Sequence, residues 1–382
     1  VERVDLHAVE SDERRTHTPI LAAERDNPTV LSPLSSASRI YVRLPNWVGD
    51  VVLATPFLSA LRRAAPQAEI LAHGRGVAFK VLGNEGLYDR ALTVRRRGGP
   101  LWPFLEGKRL RAEVGEVDLA LLLPNSISAA LVARSLGARR RVGYQTGGRG
   151  PLLSDGPLVR SVGLLRPIPM VDYYLGLLDH LGLDVSGEPR CPTLTPSAEA
   201  RVWTEEFLTR LRLNAPSQRR WALNLGGSWE TKRWLPQYAG KLVKRLKRAG
   251  IAPLLLRGPD EADLAEAVCV AAGERVAGAD EVVGLAELTA TLERCEVLIT
   301  SDSGPRHFGI AARIPVLVLI GSTHPGYTAV DYPPLEVLSE RVDCWPCHLK
   351  TCPLDFRCMR ALTPQRVHEA AAALVARQSV PA

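Results

Sequence analysis

Two short apolar runs, separated by a turn and one helix, constrain this chain most. Val297-Leu298-Ile299 stops at Thr300-Ser301-Asp302-Ser303-Gly304-Pro305, and Pro315 opens a second run, Val316–Ile320. Continuous apolar runs of this length read as strands buried on both faces. Such strands are parallel and need a crossover, usually helical. The crossover helix is expected to begin near Pro305, because proline at the first helical position loses no needed N–H, and to reach about Arg313. Ser303 can cap it. Backbone N–H groups at a helix start attract a phosphate, Gly304 lets the backbone come close, and His307 falls in the first turn. An ordinary capped helix fits the same residues.

The alternation repeats along the chain. From Arg39–Leu44, a strand, the series runs through a helical pattern from Val51 to Ala65, with the regular helix starting at Thr55, and strands at Glu69–Ala72, Ala91–Val94, Leu119–Leu123 and Arg140–Tyr144. Helices are expected at Val77–Leu82, Ile127–Leu136 and Met170–Leu183. After a proline-rich linker a second series follows, with strands at Trp221–Leu225 and Pro253–Leu256 and helices at Ala198–Arg212, Pro236–Ala249, Glu261–Ala271 and Leu285–Arg294. The fold class is therefore α/β: two Rossmann-like, doubly wound domains facing a cleft. The expected division is a poorly ordered tail over 1–37, a first domain over 38–184, a linker over 185–197 and a second domain over 198–363. Residues 364–382 form a C-terminal helix, for which packing back on the first domain is one option.

A chain of 382 residues with 46% hydrophobic content can bury more than one core. The net charge of +7 favours an anionic partner. Aromatics are only 5%, and no aromatic–basic platform for single-stranded nucleic acid is visible, so nucleic acid is not the expected partner. No apolar run has the length of a membrane span, and the charged N-terminus lacks the apolar segment of a signal peptide. A cytoplasmic protein is expected. The seven cysteines do not describe a secreted disulfide framework.

Three further turns can carry chemistry. Gly226-Gly227-Ser228-Trp229-Glu230-Thr231-Lys232 follows a strand and precedes a helix. Its glycines permit close approach, Ser228 offers a hydroxyl, and Lys232 can neutralise a phosphate, although a solvated basic turn would look alike. The spacing is not that of a P-loop. Arg257-Gly258-Pro259-Asp260-Glu261 offers a carboxylate at a strand end, either for a ribose hydroxyl pair or for a helix dipole. Asn46-Trp47-Val48-Gly49-Asp50 puts a carboxylate at a strand-to-helix turn. There is no D-x-D for a divalent metal, so leaving-group charge falls to Lys232 and backbone dipoles. Asp50 is then free to take a proton from an acceptor hydroxyl, or simply stabilises its helix.

Residues 43–62 resemble the opening signature of glycosyltransferase family 9, the ADP-heptose:lipopolysaccharide heptosyltransferases. G-G-S-W-E-T-K-R-W at 226–234 and T-S-D-S-G-P-R-H at 300–307 resemble its other two signatures, in the same order. The Pro45-Asn46-Trp47 variant is most similar to the heptosyltransferase II type. The resemblance spans about 38–377. It implies a glycosyltransferase-B fold and an inverting, metal-independent transfer from ADP-L-glycero-β-D-manno-heptose to the lipopolysaccharide inner core, with no cofactor. It implies Asp50 as base, with Asn46 and Gly49 shaping its loop. Gly227, Ser228 and Lys232 fall at phosphate-binding positions. Asp302, Ser303, Gly304 and His307 form a donor turn in which Asp302 meets sugar or ribose hydroxyls, and Asp260 is a looser match to an adenosine-binding acid. Arg306 and His324 depart from the family pattern, which has an apolar residue and an acid there. The same fold acting on another nucleotide sugar or a protein acceptor, or binding a nucleotide sugar without catalysis, remains an alternative.

Basic clusters at Arg95-Arg96-Arg97, Lys108-Arg109-Arg111 and Arg139-Arg140-Arg141 suit a lipid A–Kdo-type acceptor or an anionic inner membrane face, to which the protein would be peripheral. Arg139, Arg140 and Arg141 are the expected acceptor contacts. Cys344, Cys347, Cys352 and Cys358 can enclose a structural zinc or remain thiols.

Overall fold

The computed structural model describes residues 33–83, 86–95, 99–158 and 168–378. The expected tail lies outside the described residues up to position 32. Its end does not behave as a tail, because Pro33–Ser36 form a helical turn (α1) whose Leu34 is buried.

The first domain runs β1 (Arg39–Arg43), α2 (Val48–Leu53), α3 (Thr55–Ala64), β2 (Glu69–Gly74), α4 (Gly76–Leu82), β3 (Arg90–Thr93), α5 (Trp102–Val114), β4 (Leu119–Leu122), α6 (Ile127–Leu136), β5 (Arg140–Val142) and α7 (Met170–His180). The second runs α8 (Ala198–Arg210), β6 (Arg220–Asn224), α9 (Pro236–Arg248), β7 (Ala252–Leu255), α10 (Ala262–Ala272), α11 (Leu285–Leu292), β8 (Val297–Ser301), α12 (Pro305–Ala311), β9 (Val316–Ile320), β10 (Leu335–Ser339), α13 (Arg357–Arg360) and α14 (Pro364–Gln378).

Each domain has a five-stranded parallel sheet, in the orders β3-β2-β1-β4-β5 and β10-β9-β8-β6-β7. The central strands are apolar because helices cover both faces: β4, β6, β8 and β9 are buried throughout. Winding reverses between β1 and β4 in one sheet and between β6 and β8 in the other. Ligands of such sheets bind beyond the carboxyl ends of the strands at that reversal. Close helix pairs in each domain depend on a glycine. A Cβ on Gly107 would fall 2.5 Å from Ser135 Cβ on α6, and one on Gly240 would fall 2.5 Å from the Ala271 carbonyl carbon on α10.

One buried apolar cluster is continuous from Ile40, Val42 and Phe57 in the first domain to Leu298, Phe308 and Val316 in the second. The two domains are thus joined by a common apolar cluster, and α2 lies against α12. The last helix, α14, packs on α9 and β9, with Val367, Ala371 and Leu374 buried in the second domain's own core. It does not follow the expected option of returning to the first domain. Its apolar stripe shares that core with Trp221 and Trp234.

Candidate active site

The first wall of the cleft grows from β1. Beyond Leu44 the chain turns through Pro45, Asn46 and an exposed Trp47, then starts α2 at Val48, three residues before the expected helical pattern. Buried Arg43 stiffens this turn: its guanidinium donates to the Leu44 carbonyl (2.6 Å), the His73 carbonyl (3.1 Å) and Asn46 Oδ1 (2.8 Å). Asp50 therefore sits in the first turn of α2. A helix dipole there favours the charged form by about 0.3–1 kcal/mol. Burial disfavours it and pushes the carboxyl from its ordinary 3.8 up to about 6. A shift of that size corresponds to about 3 kcal/mol, so desolvation outweighs the dipole.

The second wall grows from β6 and β8, neighbouring strands whose ends are in register at Asn224 and Thr300. The loop after β6 passes Gly226, Gly227 and an exposed Ser228 before Lys232. Among the described residues the amides of Gly227 and Ser228 have no hydrogen-bond partner. Lys232 Nζ lies 3.1 Å from Asp302 Oδ2 and 5.1 Å from the Trp229 ring centre. Asp302 also accepts from Thr323 (2.7 Å) and from Arg306 (2.9 Å). Burial works against its charge, but Arg306 and Lys232 with the Thr323 hydroxyl hold its carboxyl down at about 2. Arg306, the departure from the expected apolar residue, is thus the buried counter-ion of Asp302.

The helix start after β8 differs from expectation. Gly304 already has helical φ and ψ, and no side chain caps α12. Ser303 Oγ instead reaches back to the Ser301 carbonyl. Three of the turn's amides bond within it, Ser303 to Ser301, Arg306 to Ser303 and His307 to Gly304, and Pro305 has none. Among the described residues the Gly304 amide, like those of Gly227 and Ser228, has no hydrogen-bond partner, so both turns keep an open amide.

The three turns converge. A Cβ on Gly49 would fall 3.0 Å from His307 Cδ2 and 3.3 Å from Gly304 Cα, so any larger residue would crowd α2 against the start of α12. His307 is buried there, and burial, reinforced by Arg306, pushes its imidazole down to about 3, so it is neutral.

Of the two acids after β7, Asp260 is exposed. Glu261 is the inward one: its Oε2 accepts from the Gly258 amide at 2.8 Å, and a Cβ on Gly226 would fall 1.8 Å from its Oε1. Beside it Leu225, Gly226, Leu256, Arg257, Glu261 and Leu264 line a narrow slot of about 10 Å³. A larger open depression near Gln237, Asp263 and Glu266 presents carboxylates, the wrong sign for a diphosphate.

Arg139, Arg140 and Arg141 do not reach the cleft. They lie at the amino end of β5, the opposite edge of the sheet. Arg139 pairs with Glu116 and Asp118, Arg140 with Asp155, and Arg141 donates to the Leu152 and Ala138 carbonyls. Arg96 and Arg97 lie outside the described residues.

The four cysteines are free thiols. Among the described residues no group of three or more His, Cys, Asp or Glu is arranged to hold a metal, so the structural-zinc alternative is not supported. Burial pushes the Cys358 thiol up, and neighbouring Cys344, Cys347 and Cys352 act in the same direction. The segment braces the 226–232 loop instead. The Leu349 carbonyl accepts from Thr231 Oγ1 (2.6 Å), which in turn accepts from Ser322 (3.0 Å).

A profile of the family described as Glycosyltransferase family 9 (heptosyltransferase) matches residues 107–356. The chain is 22% identical over 345 residues to a lipooligosaccharide heptosyltransferase 2 of Campylobacter jejuni, covering 87% of this chain and 97% of that one. It is 25% identical over 308 residues to the Escherichia coli lipopolysaccharide heptosyltransferase 2, covering 78% and 86%. Among solved structures, a family 9 glycosyl transferase from Veillonella parvula superposes with a TM-score of 0.75 at 23% identity, over 89% and 97% of the two chains. The E. coli ADP-heptose lps heptosyltransferase II gives 0.72 at 22% identity, over 90% and 100%. The architecture is that of the glycosyltransferase-B fold.

Proposed function

The chain belongs to glycosyltransferase family 9, and from that premise we propose that it moves a heptosyl unit from ADP-L-glycero-β-D-manno-heptose to a lipopolysaccharide inner-core hydroxyl, with inversion and without a metal. The observation that carries this reading is the meeting of a half-buried Asp50, whose carboxyl is pushed up by desolvation, with a cationic loop, through the Gly49–Gly304–His307 contact. The ribose hydroxyls donate to Glu261, which takes the place of the expected Asp260. The diphosphate lies along the Gly227 and Ser228 amides and on Lys232. Asp302 holds Lys232 in place and is itself held by Arg306 and Thr323.

In the transfer, Asp50 takes the proton from the acceptor hydroxyl as that oxygen attacks the anomeric carbon. The bond from that carbon to the β-phosphate oxygen breaks on the opposite face, and ADP leaves. The charge that develops on the β-phosphate meets the Lys232 ammonium and fixed amide dipoles, which need no reorganisation. The relatives' names support heptose as the sugar and lipopolysaccharide or lipooligosaccharide as the acceptor.

The reaction tests this reading. With ADP-heptose and a Kdo–lipid A acceptor in excess EDTA, the acceptor is expected to gain the mass of one heptosyl unit as ADP appears. Transfer from other nucleotide sugars but not from ADP-heptose would overturn the donor. Tight ADP-heptose binding without turnover would favour a binding protein.

A further inference from the structure

The carboxyl edge of the first domain's sheet exposes large apolar side chains. Trp47 (72% exposed) follows β1, Leu101 (64%), Phe104 and Leu105 (55%) follow β3, Ile127 follows β4, and Leu158 follows β5. All six therefore leave the carboxyl edge of one sheet, the edge that carries Asp50. The Gln145 amide donates to the Pro157 carbonyl, which returns the chain to this edge just before Leu158. On α5 the inward face is Pro103, Glu106, Gly107 and Leu110, and Gly107 locks it against α6. Leu101, Phe104 and Leu105 consequently point outward in the helix's first turn, where burial would be expected of such residues. Exposed cations share the rim: Arg75 after β2, Arg95 after β3 and Lys108 on α5. The carboxylates of α5 lie elsewhere: Glu106 is buried and paired with Arg109, and Glu113 is at the far end of the helix.

Apolar side chains ringed by cations are the pattern that seats a protein at an anionic lipid surface. Leucine, phenylalanine and tryptophan enter the interface, and nearby cations add attraction to anionic headgroups. We propose that this rim docks on an anionic bilayer and brings the cleft mouth down to the headgroups, where the sugar of a lipid-anchored acceptor can reach Asp50. The proposal rests on the lipid-linked acceptor of the preceding reading and assigns the membrane contact to this edge, away from Arg139–Arg141.

Vesicle co-sedimentation of the full chain, with neither donor nor acceptor present, tests it independently of any transfer. Phosphatidylcholine vesicles with and without about a third phosphatidylglycerol are compared. Wild-type protein is expected to sediment with the anionic vesicles, and Leu101→Glu/Leu105→Glu to lower that partition by about tenfold or more. Val270→Glu, an equally exposed apolar site on α10 of the second domain, is expected to leave partition unchanged. An unchanged melting temperature and retained ADP affinity establish that the double variant is folded. Failure of the wild type to bind, or equal binding by the double variant, would overturn the proposal. So would a wild-type dimer in light scattering that the double variant turns into a monomer, because the rim would then belong to a second copy.

Discussion

Asp50→Asn is expected to lower kcat by about 10²–10⁴-fold, the range removed with a general base, while ADP affinity stays within about twofold. Asparagine has almost the same shape and keeps the α2 turn, so a loss of this size isolates the proton transfer. The same variant should be more stable than the wild type. The folded pKa of Asp50, about 6, lies above its ordinary 3.8, so ionising it in place opposes folding. That penalty is absent below pH 3.8, grows as pH rises through about 6, and reaches up to about 3 kcal/mol above it. Denaturation at pH 8 should therefore favour Asp50→Asn, and the difference should vanish near pH 3.5. Activity runs in the opposite direction with pH, because the base must be ionised: wild-type kcat/KM should fall tenfold per pH unit below about 6. Near-normal turnover in the variant would remove Asp50 as the base, and equal stability at pH 8 would remove the burial argument behind its pKa.

Lys232→Ala should lower kcat/KM by about 10²–10³-fold, as loss of one preorganised charged donor does. The fold should survive, because Asp302 keeps Arg306 and Thr323 as partners and is not left as an orphaned charge. Calorimetry separates the assigned role from a general effect on the loop. ADP affinity should fall by about tenfold or more, whereas AMP, which lacks the β-phosphate, should bind nearly as before. Equal weakening of both would mean that Lys232 shapes the adenosine pocket and does not hold the leaving group.

The strand–helix series was legible because each central strand is buried on both faces and so is written as an uninterrupted apolar run. The three turns were legible because glycine, a carboxylate and a cation cluster where such runs stop. Choices that depend on direction were not. Asp260 and Glu261 are adjacent acids, and only the short helical turn at Pro259–Glu261 decides that Glu261 faces Gly226. Ser303 and Gly304 read as a cap and its follower, but helical geometry already begins at Gly304. Arg139–Arg141 looked available because their partners Glu116, Asp118 and Asp155 lie 15 or more residues away in sequence. The last strand, β10, was missed because its residues are all half-buried at a sheet edge and lack a clear period. The amphipathic stripe of α14 was visible, but a stripe does not say which domain it will meet.

A structure of the protein with ADP bound tests the central claim most directly. The account predicts a β-phosphate oxygen about 3 Å from Lys232 Nζ, the ribose on Glu261, and Asp50 facing that phosphate from the other wall with no cation between them. A diphosphate seated away from Lys232, or bridged to the protein through a metal held by carboxylates, would contradict it.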